Sequence, residues 1–191
     1  MVESQLALDL KKLKEDKFYY GEFGRRWLSN SDIRHLLNDP RKFRQPQEET
    51  KAMLEGRFFH TAMLEKDKLD NFTLLDVSSR NTKAYKDYYA EHNKMALLTQ
   101  EAENIFEVVD AMKLNVEMYE TIYDSNNEYE VPMIKNIMGL EWKGKADIVC
   151  QDKLIDLKTT SDINKFKYSA RKYNYDSQAY IYQELFGLPL E

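Results

Sequence analysis

Asp147 and Asp156 are spaced so that their carboxylates would face each other across a β-hairpin. The same register puts Lys145 opposite Lys158, and because side chains alternate along a strand, all four charges share one face. Like charges directly opposite each other destabilise a sheet by up to about 1 kcal/mol per pair. A divalent cation between the two carboxylates would remove that cost. The pattern therefore predicts a metal site on this hairpin.

The register follows from a short predicted turn. The runs 144–150 and 153–158 flank the dipeptide Gln151-Asp152, which pairs Cys150 with Lys153. The reverse face of the hairpin is then apolar and suited to burial under helices: Ala146, Ile148, Cys150, Ile155 and Leu157. We therefore expect the Cys150 thiol to be buried and unreactive.

A third carboxylate extends the row onto the preceding strand. With Met138-Gly139 as a two-residue turn, Glu130 falls opposite Asp147. A three-residue turn ending in Gly139 would shift the register by one. Glu128 has the same parity as Glu130 and is the alternative carboxylate.

The polar face offers oxygen ligands next to a lysine. Mg²⁺ prefers oxygen at about 2.0–2.1 Å in an octahedron completed by water. Asp147, Asp156 and the backbone carbonyl of Leu157 can supply such ligands. Lys158 lies roughly 6–7 Å along the strand from Asp156 and would position a water or stabilise charge on a phosphate. Two cations about 3.5–4 Å apart would hold both the attacking and the leaving oxygen.

Two further groups of residues are candidates for the same site. Gln178 and Tyr182 are four residues apart on a predicted helix and share one face, with Tyr175 beside them. The glutamine can hydrogen-bond a phosphate or a metal-bound water, and the tyrosine can stack or donate to a backbone oxygen. His60 lies on an amphipathic helix, where a neutral imidazole is a possible metal ligand but a packing role is commoner.

Composition limits the class of protein. The 191 residues are enough for one domain with a core. A net charge of −5 argues mildly against nucleic-acid binding, but carboxylates that hold metal are neutralised in the working protein. The single cysteine excludes an intrachain disulfide and an iron–sulfur cluster built from this chain alone. The sequence shows neither an apolar run of about 18 residues nor signal-peptide features at its start, so we expect a cytoplasmic protein without membrane association.

The predicted fold class is α+β. Residues 1–191 are expected to form a single domain, with a mostly helical part over about 1–125 and a core over about 126–191 that carries the predicted metal site. The core is an antiparallel three-strand meander at 128–137, 140–150 and 153–158, flanked by helices at 163–172 and 175–187. Ser31 is the predicted N-cap of a helix at 32–38, and one long helix is predicted over about 100–122. We expect the natural chain to continue beyond residue 191 with a strand that shields the sheet edge.

These residues together resemble a known superfamily. Their order and spacing are similar to those of the PD-(D/E)xK nucleases, and most of all to the exonuclease VIII (RecE-like) exonucleases of phages and prophages. The resemblance runs from about residue 27 to 187 and rests on five short motifs: Gly56-x-x-x-His60, Glu130, Gly144-x-x-Asp147, Asp156-x-Lys158 and Gln178-x-x-x-Tyr182. Ala146 stands where the family usually has a proline before its first aspartate.

The resemblance implies a restriction-endonuclease-like core within a single nuclease domain over residues 1–191, and it also implies an activity and partners. It implies magnesium- or manganese-dependent digestion of double-stranded DNA from ends, usually 5′ to 3′, by a ring-shaped homo-oligomer that works beside a single-strand annealing protein. By carry-over, one or two metal ions would be held by His60, Asp147, Asp156 and the Leu157 carbonyl, with Lys158 catalytic and with Glu130, Gln178 and Tyr182 lining the site. An endonuclease of the same fold and a non-catalytic DNA-binding or assembly module remain as alternatives.

Overall fold

The computed structural model describes residues 4–45 and 48–191, so residues 1–3 and 46–47 of the predicted domain lie outside the description. The helices in chain order are α1 (Gln5–Leu13), α2 (Asp16–Tyr19), α3 (Asn30–Asn38), α4 (Lys51–Leu64), α5 (Lys83–His92), α6 (Thr99–Lys113), α7 (Val116–Ile122), α8 (Phe166–Lys172) and α9 (Tyr175–Phe186). The strands are β1 (Leu74–Leu75), β2 (Leu97–Leu98), β3 (Glu128–Ile137), β4 (Leu140–Val149) and β5 (Leu154–Ile155). Helices dominate the first part and an antiparallel β3-β4-β5 meander follows, which confirms the α+β prediction.

The chain divides into two compact units. The first unit joins Met1–Pro46 to Asn126–Glu191, and the second unit is Gln47–Ser125. The meander therefore shares its unit with helices α1 to α3 from the start of the chain. A single nuclease domain over residues 1–191 stays a prediction. Among the described residues, no helix combines the length and the apolar character needed to cross a membrane.

The register of the β3-β4 hairpin is the predicted one. Ile137 pairs with Leu140, and Glu128 pairs with Val149 at the far end of the ladder. Met138 and Gly139 both have positive φ, at 53° and 82°, which is the backbone of a two-residue hairpin turn. The three-residue turn that would have shifted the register does not form.

Strand β5 keeps the predicted register but ends early. Ile148 pairs with Ile155, and the Cys150 N–H donates to the Lys153 carbonyl, as the turn predicts. Pairing then stops at Ile155, so the prediction of a strand over 153–158 is wrong beyond that residue. The opposed Lys145–Lys158 pair does not form either. Lys145 instead forms ion pairs with Asp16 and Glu130.

The edge of β5 that faces away from β4 forms hydrogen bonds with the last residues of the chain. The Leu154 N–H donates to the Pro189 carbonyl at 2.7 Å, and the Asp156 N–H donates to the Glu191 carbonyl at 2.9 Å. The Glu191 N–H donates back to the Leu154 carbonyl at 2.8 Å. These bonds carry the backbone from β5 toward Asp156 in an extended course.

Helix α9 covers one face of the meander. Ile181 and Leu185 pack with Ile137 in one buried cluster, and Tyr182 packs with Ala146 and Leu154 in another. Gly144 lies under this helix, where a Cβ atom would stand 2.6 Å from Cδ1 of Leu185. A side chain at position 144 would therefore force the Leu185 side chain to move.

The other face of the sheet, which we call the polar face, is also covered. It carries Lys143, Lys145 and Asp147, all less than 10% exposed. The covering segment comes from residues 13–27, where Leu13, Tyr19 and Trp27 form a buried cluster against which Ile134 of β3 packs. The segment includes the short helix α2.

The second unit is mainly helical. Its core packs Leu54 and Phe58 of α4 against Leu97 and Ala102. The predicted long helix over 100–122 is wrong, because α6 ends at Lys113 and α7 begins at Val116. Asn115 separates the two helices, and its side chain caps α7 by accepting from the Met118 N–H at 3.1 Å.

Candidate active site

Glu130 and Asp147 meet where the ladder between β3 and β4 is interrupted. The pairs on either side are formed, but Glu130 and Asp147 themselves are not a ladder pair. Glu130 has a φ of 49°, a left-handed conformation that is uncommon for a residue with a side chain. A carboxylate oxygen of Glu130 lies within 4.8 Å of one of Asp147. The two carboxylates that were predicted to face each other are therefore neighbours.

Asp147 fixes the backbone just beyond β5. The residue is 9% exposed, and its Oδ2 accepts a hydrogen bond from the Leu157 N–H at 2.7 Å. A charge-assisted bond of this kind is about twice as strong as one between neutral groups. It replaces the ladder bonds that β5 would have made, which explains why the strand ends before Asp156. Asp147 and the Asp156–Leu157 peptide are held side by side as a result.

Asp156 contacts two of the residues predicted for the site, Lys158 and Gln178. Its Oδ1 accepts from Nε2 of Gln178 at 2.9 Å, and its Oδ2 forms an ion pair with Nζ of Lys158. The Asp156 side chain is 10% exposed and that of Lys158 is 24% exposed, so the ion pair is reached from solvent on the lysine side. The Nζ atom of Lys158 also lies 5.1 Å from the ring centre of Tyr175. Helix α9 and the end of the hairpin thus bring Lys158, Asp156 and Gln178 together.

Tyr182 contacts the backbone of β4. Its hydroxyl donates to the Lys145 carbonyl at 3.0 Å and accepts from the Lys145 N–H at 3.4 Å. Burial raises the pKa of Tyr182 well above its ordinary value, and the charges of Asp147 and Asp156 raise it further. The hydroxyl therefore stays protonated and supplies the donor and acceptor that a longer β5 would have offered at this point.

Replacing Tyr182 by phenylalanine should destabilise the first unit. The substitution leaves the Lys145 carbonyl and N–H without their partner inside the protein, so we expect the free energy of unfolding to fall by about 1–2 kcal/mol. Urea unfolding followed by circular dichroism measures the change. The matched control is Tyr180→Phe on the same helix, because the Tyr180 side chain is 46% exposed and should tolerate the change. Equal losses in the two variants would contradict the role given to the Tyr182 hydroxyl.

Sequence reasoning missed the groups that lie over the polar face. Nζ of Lys145 bonds Oδ1 of Asp16 at 2.6 Å and lies 3.1 Å from Oε2 of Glu130. Burial alone would lower the pKa of Lys145, but Glu130, Tyr20 and Asp16 outweigh it and the net pKa is raised. Lys145 therefore stays charged and screens Glu130. The cluster of aromatic residues at 18–27 indicates a segment that packs against something, but the sequence does not show that the sheet is its partner.

Lys143 is a buried lysine whose charge is costly. Its side chain is 6% exposed, and Nζ donates to the Tyr19 carbonyl. Burial lowers its pKa from 10.5 to about 8, although the charge of Asp32 acts in the opposite direction. Because the folded-state pKa lies below the unfolded value, the protonated folded state carries a cost at low pH. That cost disappears as the pH rises from about 8 to 10.5.

Lys143→Met should remove this pH dependence. In the unmodified protein, loss of the Lys143 proton should raise the free energy of unfolding by roughly 3 kcal/mol as the pH increases from about 8 to 10.5. The measurement is the difference in urea-unfolding free energy between variant and parent at about pH 7 and about pH 10, which cancels groups common to both. Lys11→Met, at an exposed position of α1, is the control. A difference that stays constant with pH would contradict the assignment.

Two further expectations from the sequence concern His60 and Cys150. His60 is half-buried on α4, in the second unit, and its role as a metal ligand stays a prediction. Cys150 is also half-buried, so the prediction of full burial is wrong. The reason is that Cys150 lies just past the end of β4, where the sheet gives way to the exposed Gln151-Asp152 turn.

The donors at this site suit a hard divalent cation. Glu130, Asp147 and Asp156 supply carboxylate oxygens, all in surroundings with little solvent. Buried carboxylates next to one another are favoured when a metal or a cation neutralises them. The Lys145 and Lys158 ammonium groups do so for Glu130 and Asp156. Mg²⁺ and Mn²⁺ prefer such oxygen ligands over nitrogen or sulfur, so the residues fit a site of this kind.

The meander, the covering helix α9 and the Asp147, Asp156 and Lys158 arrangement define a protein of the PD-(D/E)xK nuclease class. The chain belongs to the family described as the PDDEXK-like domain of unknown function (DUF3799), which it matches over residues 30–190. This confirms the superfamily and the restriction-endonuclease-like fold that the sequence predicts.

A solved structure has the same fold. The crystal structure of a proposed exonuclease from Eubacterium rectale superposes with a TM-score of 0.60 at 19% sequence identity. The match covers 92% of this chain and 70% of that one. No curated protein matches the sequence significantly.

Proposed function

We propose that the protein is a metal-dependent exodeoxyribonuclease that degrades double-stranded DNA from its ends, 5′ to 3′, in phage-type recombination in the cytoplasm. The observation that supports this most is the double contact of Asp156 with Lys158 and Gln178. It lies next to the Leu157 N–H that binds Asp147. A lysine held against a carboxylate, beside a second, buried carboxylate, can stabilise the charge that develops on a phosphate while the carboxylates bind a cation.

The proposed cation ligands are Asp147, Asp156, the Leu157 carbonyl and, from the resemblance, His60. One or two Mg²⁺ or Mn²⁺ ions would supply positive charge beside the scissile phosphate and activate water. Gln178 holds one oxygen of Asp156 and so limits how the carboxylate can rotate. The Leu157 N–H does the same for Asp147. The chain thus orients its ligands through neighbouring hydrogen bonds, as metal sites commonly do.

Lys158 is the proposed catalytic cation. It is partly exposed, it is tethered to Asp156, and its ammonium cannot ligate a metal while it is charged. It can therefore donate to a water or to a phosphate oxygen that gains charge in the transition state. Tyr182 and Lys145 do not need to touch the substrate, because one supports β4 and the other screens Glu130.

Release of nucleotides from linear duplex DNA with Mg²⁺ tests the proposal. We expect linear DNA to be digested from its ends, closed circles to survive, and a chelator to stop the reaction. End-labelling of either strand gives the polarity. Equal attack on circles would favour an endonuclease of the same fold, and no metal-dependent cleavage would favour a non-catalytic DNA-binding or assembly module. The ring-shaped homo-oligomer and the annealing partner rest on the resemblance alone, and light scattering tests the first of them.

A further inference from the structure

A basic segment lies between β5 and α9 in an otherwise acidic chain. Residues 163–174 contain Lys165, Lys167, Arg171 and Lys172 and no acidic residue, whereas the whole chain has a net charge of −5. Lys165 forms an ion pair at 3.3 Å with Asp162, just outside the segment. The positive charge of the segment is therefore concentrated on α8, on Lys167, Arg171 and Lys172, all of which are exposed.

Exposed tyrosine rings alternate with these cations. Tyr168 is 64% exposed and Tyr173 is 40% exposed. Nζ of Lys167 lies 5.1 Å from the Tyr168 ring centre, and Nζ of Lys172 lies 5.4 Å from that of Tyr173. Rings that are held by a neighbouring cation and still face solvent present a flat apolar surface with charge at its side.

The rings continue toward the candidate active site. Asn174 has a left-handed backbone, with φ at 55°, and the turn it makes stacks Tyr173 on Tyr175 with ring centres 6.1 Å apart and an interplanar angle of 26°. Tyr175 in turn lies 5.1 Å from Nζ of Lys158. An unbroken series of contacts therefore leads from the ring of Tyr173 to the proposed catalytic lysine.

We propose that this surface, the α8 ridge, binds single-stranded nucleic acid and leads its backbone to Lys158. The ridge consists of Lys167, Tyr168, Arg171, Lys172, Tyr173 and Tyr175. Unpaired bases stack on the tyrosine rings, and the cations contact the phosphates. The inference rests on the proposed nuclease function, in which the bound segment is the unpaired strand at a DNA end.

The chemistry of the ridge favours a single strand over a duplex. Bases within a duplex are already stacked on each other, so their faces are closed to protein rings, whereas unpaired bases expose theirs. Lysine and arginine alone would serve either form, because phosphate contacts carry no information about base pairing. The exposed rings of Tyr168 and Tyr173 are therefore what selects the strand.

Fluorescence anisotropy with labelled oligo-dT and with a matched duplex tests the proposal. The whole chain is used in the presence of a chelator, so that binding is measured without cleavage. We expect Tyr168→Leu/Tyr173→Leu to weaken oligo-dT binding at least about tenfold, with little effect on the duplex. The double Phe variant keeps both rings and should bind like the parent. Tyr180→Leu, at another exposed tyrosine of the first unit, is the control.

Changes to the cations give an independent readout. Lys167→Ala and Arg171→Ala should each reduce the slope of log affinity against log salt by about 0.7 on single strands. Unchanged oligo-dT binding in the Leu double variant would overturn the proposal, and so would an equal loss on duplex and single strand. The binding assay needs no cleavage, so the two proposals are tested separately. If the protein cuts DNA but the ridge mutations leave oligo-dT binding unchanged, only the proposal for the ridge is refuted. A protein that binds through the ridge but never cuts DNA refutes only the nuclease proposal.

Discussion

Lys158→Ala should abolish DNA cleavage while leaving the fold intact. The ammonium group is the one cation paired with Asp156 among the described residues, and it is 24% exposed, so it can reach a bound phosphate. Loss of a positioned donor at a developing charge typically costs on the order of 10²–10³ in rate. Release of acid-soluble nucleotides under single-turnover conditions measures the effect, and circular dichroism confirms folding.

The direction of the change in metal binding separates catalysis from ligation. Lys158 occupies Oδ2 of Asp156, so its removal should leave Mn²⁺ affinity unchanged or increase it. Lys153→Ala is the matched control, because Lys153 lies on the same hairpin and pairs with Glu191 at 2.8 Å. Cleavage at the parental rate in Lys158→Ala would remove the lysine from the mechanism. Loss of metal binding in that variant would make its role structural.

Two substitutions at Asp147 should have different consequences. Asp147→Asn keeps an oxygen that can accept from the Leu157 N–H, so we expect the free energy of unfolding to change little. It removes the negative charge that would ligate a cation, and we expect Mn²⁺ affinity to fall by more than the roughly 10–100-fold typical of losing a supporting partner. Asp147→Ala should show the same loss of affinity and also unfold about 1–3 kcal/mol more easily, because the Leu157 N–H loses its partner.

Calorimetric titration with Mn²⁺ and urea unfolding of both variants measure these effects. Asp87→Asn, at an exposed position of α5 in the second unit, is the control for removing a carboxylate. Parental metal affinity in Asp147→Asn would exclude Asp147 as a ligand. Equal stability of the Asn and Ala variants would show that the bond to the Leu157 N–H contributes little.

The hairpin registers could be predicted because local turns set them. Met138-Gly139 and Gln151-Asp152 each close a two-residue turn, and alternation along the strands then fixes which side chains are neighbours. The position of Glu130 next to Asp147 follows from that count. Turn type and strand alternation depend only on neighbouring residues, so this prediction does not depend on how the rest of the chain folds.

Where a prediction from the sequence was wrong, a tertiary contact usually outweighed the local pattern. Strand β5 ends early because the Leu157 N–H donates to the Asp147 carboxylate instead of to a neighbouring strand. No local sequence pattern predicts that bond. Two failures were avoidable. Ser29 and Asp32 form the capping box of α3, so Ser31 is not the N-cap, and Asn115 caps α7 inside the predicted long helix. Both are short capping patterns that are visible in the sequence.

The origin of the segment over the polar face has a consequence for how the protein folds. The bond between Lys145 and Asp16 joins residues 129 positions apart, and that between Lys143 and Tyr19 joins residues 124 apart. Contacts of such long range cost more loop-closure entropy than those of a hairpin, so we expect them to form later than the hairpins. During synthesis the meander emerges long after the segment that covers it. We therefore expect the hairpins to pair early and the polar face to be covered only in the last steps of folding.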